Sequence, residues 1–225
     1  MDGYFGGEVA AFYARYRRGY LPGFVDVLVE GLGLGAGDVA ADVGCGTGQL
    51  TIALAGRLRA VIGMDPEPAM LALASQVAAP GLAVTWVLGG DSDLPALSAL
   101  LGGQSLAAVT IANAIHLVPH ERLFASALPL LRPGGGLAVI ANGTPLWQQP
   151  SEWSQALRHA LEQWLGTRLE SRCGTDQQSR HLYQAALRAA GFTRIHEESS
   201  DYDSDLELPR AFRTVPPIDW GRLER

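Results

Sequence analysis

The chain has 225 residues, 48% hydrophobic and 18% charged, with 17 basic and 23 acidic side chains that leave a formal net charge of −6. That length and apolar content suit one large domain with a full core and exclude an intrinsically disordered chain. No apolar run reaches the ~20 residues of a bilayer span, and Cys45 and Cys173 alone make neither a disulfide framework nor a four-ligand zinc site. All the basic residues are arginine, which excludes a phosphate-loop lysine and a lysine Schiff base, and the acidic balance argues against nucleic-acid binding. The first residues lack a basic start followed by an apolar core, so a cytoplasmic location is expected. No membrane association is expected, and the oligomeric state is left open.

In chain order, two amphipathic helices come first, over about Glu8 to Arg17 and Gly23 to Gly31. Strands of apolar or β-branched residues then alternate with helical patterns, which predicts β-α units around a mainly parallel sheet with helices on both faces, a Rossmann-like α/β fold of about six or seven strands. The strands are expected at Val39 to Val43, Ala60 to Met64, Thr85 to Leu88, Ala107 to Ile111 and Leu137 to Ala141. The helices between them are expected at Gln49 to Arg57, Pro68 to Val77, Leu94 to Leu101 and His120 to Leu131, the last closed by Pro133 to Gly136. Helices near Glu152 to Leu165 and Arg180 to Ala190 follow, then a strand near Arg194 to Glu198. Beyond it Asp201 to Asp205 is acidic, and Pro209, Pro216 and Pro217 interrupt the pattern, so no final strand is read. The expected division is a single domain, 1–225, with an N-terminal helical cover over 1–35, a core over 36–141 and a variable region over 142–225.

The richest segment is VAADVGCGTGQLTI, Val39 to Ile52. An apolar strand runs into glycines at 44, 46 and 48 and then into a helix, so the backbone can turn sharply and approach a ligand closely. With Asp42 two residues before the first glycine and Gln49 after the last, the spacing is not the G-x-G-x-x-G of dinucleotide enzymes.

Four motifs in order, DVGCGTG (Asp42 to Gly48), VIGMDPEPAML (Val61 to Leu71), GGDSDLP (Gly89 to Pro95) and VTIANAIHLVP (Val109 to Pro119), give the chain a likeness running from about Tyr13 to Ile140. It resembles the class I S-adenosylmethionine-dependent methyltransferases. The resemblance implies S-adenosyl-L-methionine as cofactor, bound by the loop Asp42, Gly44, Cys45, Gly46 and Gly48. Asp65, 17 residues beyond Gly48 at a strand end, is suited to accept hydrogen bonds from both ribose hydroxyls. By the same resemblance Asp91 and Ser92 would meet the adenine edge, with a helix N-cap as the other reading of this acidic run. Pro66 and Met70 would pack on the adenine face, although a methionine at such a position is more often core. Asn113 and Ala114 would lie beside the methionine portion.

The N-terminal YARYRRGY, Tyr13 to Tyr20, is similar to the Y-x-x-Y-R-P-x-Y-P segment of small-molecule enzymes of this class, with Arg18 and Leu21 where prolines are usual. That likeness implies Tyr16 and Arg17 at the cofactor's carboxylate. His116, beyond Asn113, is the acid/base candidate, with a pocket-lining role as its alternative. The expected activity is methyl transfer to a small-molecule acceptor on O, N or C, its pocket covered by the N-terminal helices and by Leu146 to Thr175, with Trp147, Trp153 and Trp164. The alternatives are a non-catalytic cofactor-binding protein and an NAD-dependent oxidoreductase. No metal is expected.

Overall fold

The computed structural model describes residues 7–17, 19–142, 146–149, 151–169 and 174–197, with two short strands at 199–200 and 223–224. Arg18, Cys173, Asp201 to Asp205, Pro209, Pro216 and Pro217 lie outside the described residues.

Two helices, α1 (Glu8–Tyr16) and α2 (Pro22–Gly31), precede the alternating core. The core runs β1 (Val39–Val43), α3 (Gln49–Ala55), β2 (Ala60–Asp65), α4 (Pro68–Val77), β3 (Val84–Leu88), α5 (Leu94–Leu101), β4 (Leu106–Ala112), α6 (His120–Ala127) and β5 (Leu131–Asn142). After it come α7 (Glu152–Leu165), α8 (Gln177–Ala190), and two-residue strands β6 (Ser199–Ser200) and β7 (Leu223–Glu224). The sheet order is β3-β2-β1-β4-β5-β7-β6. The five long strands are parallel, and β7 adds antiparallel to β5. The order reverses beside β1, so β1 and β4 diverge at their carboxyl ends, where ligands enter folds of this kind.

Period-two alternation in the central strands divides the core. Ala41 and Val43 of β1 join Val109 and Ile111 of β4 and Leu123 and Phe124 of α6 on one face. Ala40, Val61 and Ala108 join Phe24, Leu28, Leu50 and Leu54 on the other, beneath α2 and α3. The α3 face also carries one transverse row of neighbours in register: Trp86, Gly63, Asp42 and Thr110.

Two expectations are corrected. Pro133 to Gly136 does not close α6: the helix stops at Ala127, a 3₁₀ turn spans Leu128–Leu130, and the glycine run lies inside β5. Pro129 in the turn lacks the backbone donor that a further α-helical turn needs, and Leu131 at the end of the turn is extended, with φ −79° and ψ 130°, so the helix does not continue to Leu131. The run is absorbed as an irregularity, since pairing passes from Leu106 with Leu131 directly to Ala108 with Gly136. Residues 192–197 are likewise not a strand; the pairing falls on Ser199–Ser200.

Candidate functional site

The carboxyl ends of β1 and β2 are joined through the glycine loop. Met64 O accepts from the backbone N–H groups of Gly44 and Cys45 at 2.8 and 3.0 Å. One oxygen of Asp65 accepts from Gly46 N–H at 2.8 Å, and the other from Glu67 N–H at 2.9 Å. Gly44, Gly46 and Gly48 have φ of 68°, 55° and 82°, the left-handed region that an L side chain resists. At Gly44 space forbids a side chain as well, because a Cβ would lie 2.7 Å from the Cβ of Ala114. Asp65 is 8% exposed, and its carboxyl is held above the usual carboxylate range by burial, against the pull of the two backbone donors. Each oxygen keeps acceptor capacity beyond its one bond.

Asp42 lies beneath the loop, 1% exposed, its two oxygens accepting 2.7 Å hydrogen bonds from the hydroxyls of Thr51 and Thr110. Burial is the main cause that raises its pKa to about 6; the threonine hydroxyls oppose the rise and the Asp65 charge adds to it. Above the loop, the cleft is walled by Tyr13, Arg17 and Tyr20 from the N-terminal segment, by Gln49 and Leu50 of α3, and by Ala112 and Asn113 at the end of β4. The Arg17 guanidinium stands 5.7 Å over the Tyr13 ring. Asn113 donates to the Tyr20 hydroxyl at 3.1 Å, and its φ of 55° is a conformation that costs energy for a side-chain-bearing residue. Burial drives the Tyr20 phenol above its ordinary pKa, with the Asp42 charge adding to the rise.

The structure thus brings Arg17, Asp42, Gly44, Cys45, Gly46 and Asn113 to one cleft, with Asp65 bonded to its loop and Ala114 against Gly44. Tyr16 is elsewhere: it is 66% exposed, stacks on Phe12 and lies under Arg15. Tyr13 and Tyr20, three residues before it and four after, line the cleft instead. Met70 is buried, and Pro66 and Ser92 are exposed. Asp91 caps no helix: one of its oxygens accepts from Arg122 of α6 at 2.6 and 2.9 Å. Asp93, at the start of α5, accepts from Gly90 N–H at 2.8 Å. His116, exposed beyond the end of β4, has its imidazole pKa lowered by partial desolvation. Burial raises the Cys45 thiol far up, so it is unreactive as a nucleophile.

Sequence reasoning passed over Thr51, Thr110 and Trp86. A threonine in an apolar strand reads as an ordinary β former, and only the register of β4 against β1 sets Thr110 beside Asp42. The Trp86 ring covers both Gly48 and Gly63: a Cβ on either would lie 2.5 Å from it.

Residues 40–135 match a family model described as a methyltransferase domain. An uncharacterized methyltransferase of Mycobacterium tuberculosis is 34% identical over 138 residues, 61% of this chain and 51% of the relative. A 2-phytyl-1,4-naphtoquinone methyltransferase of Thermosynechococcus vestitus is 33% identical over 141 residues, covering 61% and 59%. The chain therefore spans little more than half the length of these relatives. Among solved structures, a geranyl diphosphate methyltransferase in complex with GPP and sinefungin has a TM-score of 0.53 at 21% identity over 79% of this chain and 61% of that one. That likeness concerns the fold.

Proposed function

We propose that this chain is a class I S-adenosylmethionine-dependent methyltransferase and that it transfers a methyl group from S-adenosyl-L-methionine to a small-molecule acceptor. One observation carries this reading: a left-handed glycine loop, bonded to an acidic residue at the end of β2, closes over a buried carboxylate that has no ion pair among the described residues. A buried anion without a counter-charge is costly, and a cationic ligand in the cleft would relieve that cost.

The residues fit the cofactor. When bound, S-adenosylmethionine supplies a methyl group made electrophilic by its attachment to a positive sulfur. Asp42 and the tyrosine rings of the cleft complement a cation, and Arg17 on the same wall suits a carboxylate. Asp65 has acceptor capacity left for a ribose diol, and its negative charge would repel a phosphate there. The close approach of the loop to the ligand depends on Gly44, since any side chain there would collide with Ala114.

With the cofactor held by these residues, the chemistry it would supply is displacement at the methyl carbon, in which an acceptor's lone pair would take the methyl group and the electron pair of the carbon–sulfur bond would remain on sulfur. Holding the acceptor in line supplies much of the barrier reduction, so a strong base is not required. His116, just beyond the end of β4, is our candidate for taking the proton that a hydroxyl or amine acceptor loses, and its lowered pKa keeps it neutral and ready to do so near pH 7. The quinone and prenyl diphosphate named in the similar proteins support an acceptor of small-molecule size.

Calorimetric titration with S-adenosylmethionine, with NAD as control, tests the cofactor. Conversion of S-adenosylmethionine to S-adenosylhomocysteine across a panel of phenols, quinols, amines and prenyl diphosphates tests transfer. Binding of NAD in preference to S-adenosylmethionine would refute the first, and no turnover with any acceptor class would refute the second.

A further inference from the structure

We infer that Thr51 and Thr110 are positioning residues that keep the Asp42 carboxylate as an anion reserved for the cationic part of the ligand, so that binding is coupled to the loss of a proton from Asp42. The inference rests on the reading of the cleft given above and adds the residues that set its charge.

Each oxygen of Asp42 accepts one hydroxyl hydrogen bond of 2.7 Å, from Thr51 on α3 above the sheet and from Thr110 on the adjacent strand β4. Asp42 and Thr110 are register partners, and the backbone around them is buried. A hydroxyl donating to an ionised carboxylate stabilises it more than it would a neutral acid. Neither threonine supplies a charge, so the anion remains electrostatically unmatched on the floor of the cleft that Asp42 helps to line.

The titratable and charged groups around it sharpen the point. Asp65 at the end of β2 and Tyr20 on the N-terminal segment are coupled to it electrostatically, as is Cys45 in the loop. Burial of Asp42 is the main influence that favours its protonation, and the Asp65 anion adds to it; Arg17 lines the cleft near Tyr20. In the free protein Asp42 therefore takes up a proton just below neutrality, near pH 6. A ligand cation can form its full attraction only to the ionised form, and an α-ammonium stays charged below pH ~7.7. Affinity should thus fall as acid protonates Asp42, by about tenfold between pH 7 and pH 5 for a free-state pKa near 6.

The test is the dissociation constant of S-adenosylmethionine measured by calorimetry from pH 5 to pH 7 for wild type, Thr51→Val, Thr110→Val, the two serine replacements and Asp42→Asn. Adenosine, which lacks the cation, is titrated in parallel to report the share of the profile that Asp65 contributes. The expected result is a wild-type inflection near pH 6, moved upward by about one pH unit in each valine variant because one charge-assisted hydrogen bond is lost. Thr51→Ser and Thr110→Ser restore the wild-type inflection, and Asp42→Asn shows weak binding that keeps only the share of the pH profile that adenosine reports for Asp65. Should the valine variants not fold, the contrast between wild type and Asp42→Asn, measured against adenosine, decides the matter. Tight binding with one common pH profile in all variants would overturn this inference and leave the cofactor reading standing. No binding to folded wild type at any pH would overturn both.

Discussion

Gly63→Ala should destabilise the protein and loosen its ligand cleft together, although the position lies within a strand and not in the loop. A Cβ built at Gly63 would lie 2.5 Å from Cζ3 and 2.7 Å from Cε3 of Trp86, and 3.1 Å from Cγ2 of Thr51. Carbon contacts settle at about 3.5–4.0 Å, so the indole must retreat by about 1 Å. It cannot do so independently of the loop, because the same ring stands 2.5 Å from where a Cβ on Gly48 would be, a point that also lies 3.2 Å from the Cβ of Ala74 on α4. Overpacking of this kind costs about 1–3 kcal/mol, which for a domain of this size lowers Tm by about 2–4 °C per kcal/mol. Movement of the ring away from Gly48 should weaken S-adenosylmethionine binding severalfold. Urea unfolding followed by circular dichroism, with calorimetric titration of the cofactor, measures both effects. The decisive control is Trp86→Leu, which removes the obstructing ring: the cost of Gly63→Ala should shrink by about 1 kcal/mol or more in that background, a coupling expected only for groups in contact. An equal cost in both backgrounds, or a Gly63→Ala protein with wild-type stability and affinity, would refute the reasoning.

Three other outcomes follow from the site. The folded Asp42 has a pKa of about 6 against an ordinary 3.8, so its contribution to stability is fully present below pH ~3.8 and is lost as pH rises through 6, an amount of about 3 kcal/mol. Asp42→Asn should therefore be more stable than wild type at pH 7.5, by about 1–3 kcal/mol in urea titrations, with the advantage gone at pH 4; a variant less stable than wild type at pH 7.5 would count against the burial argument. Asp65→Ala removes the acceptor for Gly46 N–H and Glu67 N–H and should weaken S-adenosylmethionine by about tenfold or more, one to two kcal/mol; unchanged affinity in calorimetry would sink the ribose assignment. His116→Gln should lower kcat by about 10²-fold or more for a hydroxyl acceptor while leaving cofactor affinity unchanged. In wild type the acid limb of the kcat profile should then bend below the ordinary imidazole value of 6.5, the direction of the His116 shift.

Much of this architecture was legible as pattern. Strand β1 runs Val39–Val43 and helices α4, α5 and α7 span Pro68–Val77, Leu94–Leu101 and Glu152–Leu165, all as read from the sequence, because each starts or stops beside a glycine, proline or acidic residue. Reading failed where two local signals competed. Pro133 to Gly136 looks like a helix stop, but the stop had already come at Pro129, and the glycines were free to enter β5. The Tyr13 to Tyr20 segment carries four aromatic or basic residues at helical spacing, and which of them turns inward depends on how α1 lies against the loop. Tyr16 turns outward, whereas Tyr13 and Tyr20 wall the cleft.

The sequence by itself determined the glycine loop, the acidic residues on either side of it and the alternation of strand and helix, since left-handed turns and burial periods are local properties of the chain. Tertiary structure alone decided what those residues face. Trp86, Gly63, Asp42 and Thr110 come from four strands separated by whole helices, and only parallel register sets them in one row. The register arises from long-range packing, so the hydroxyl pair that holds Asp42 and the indole that supports the glycine loop leave no trace in the spacing of the sequence.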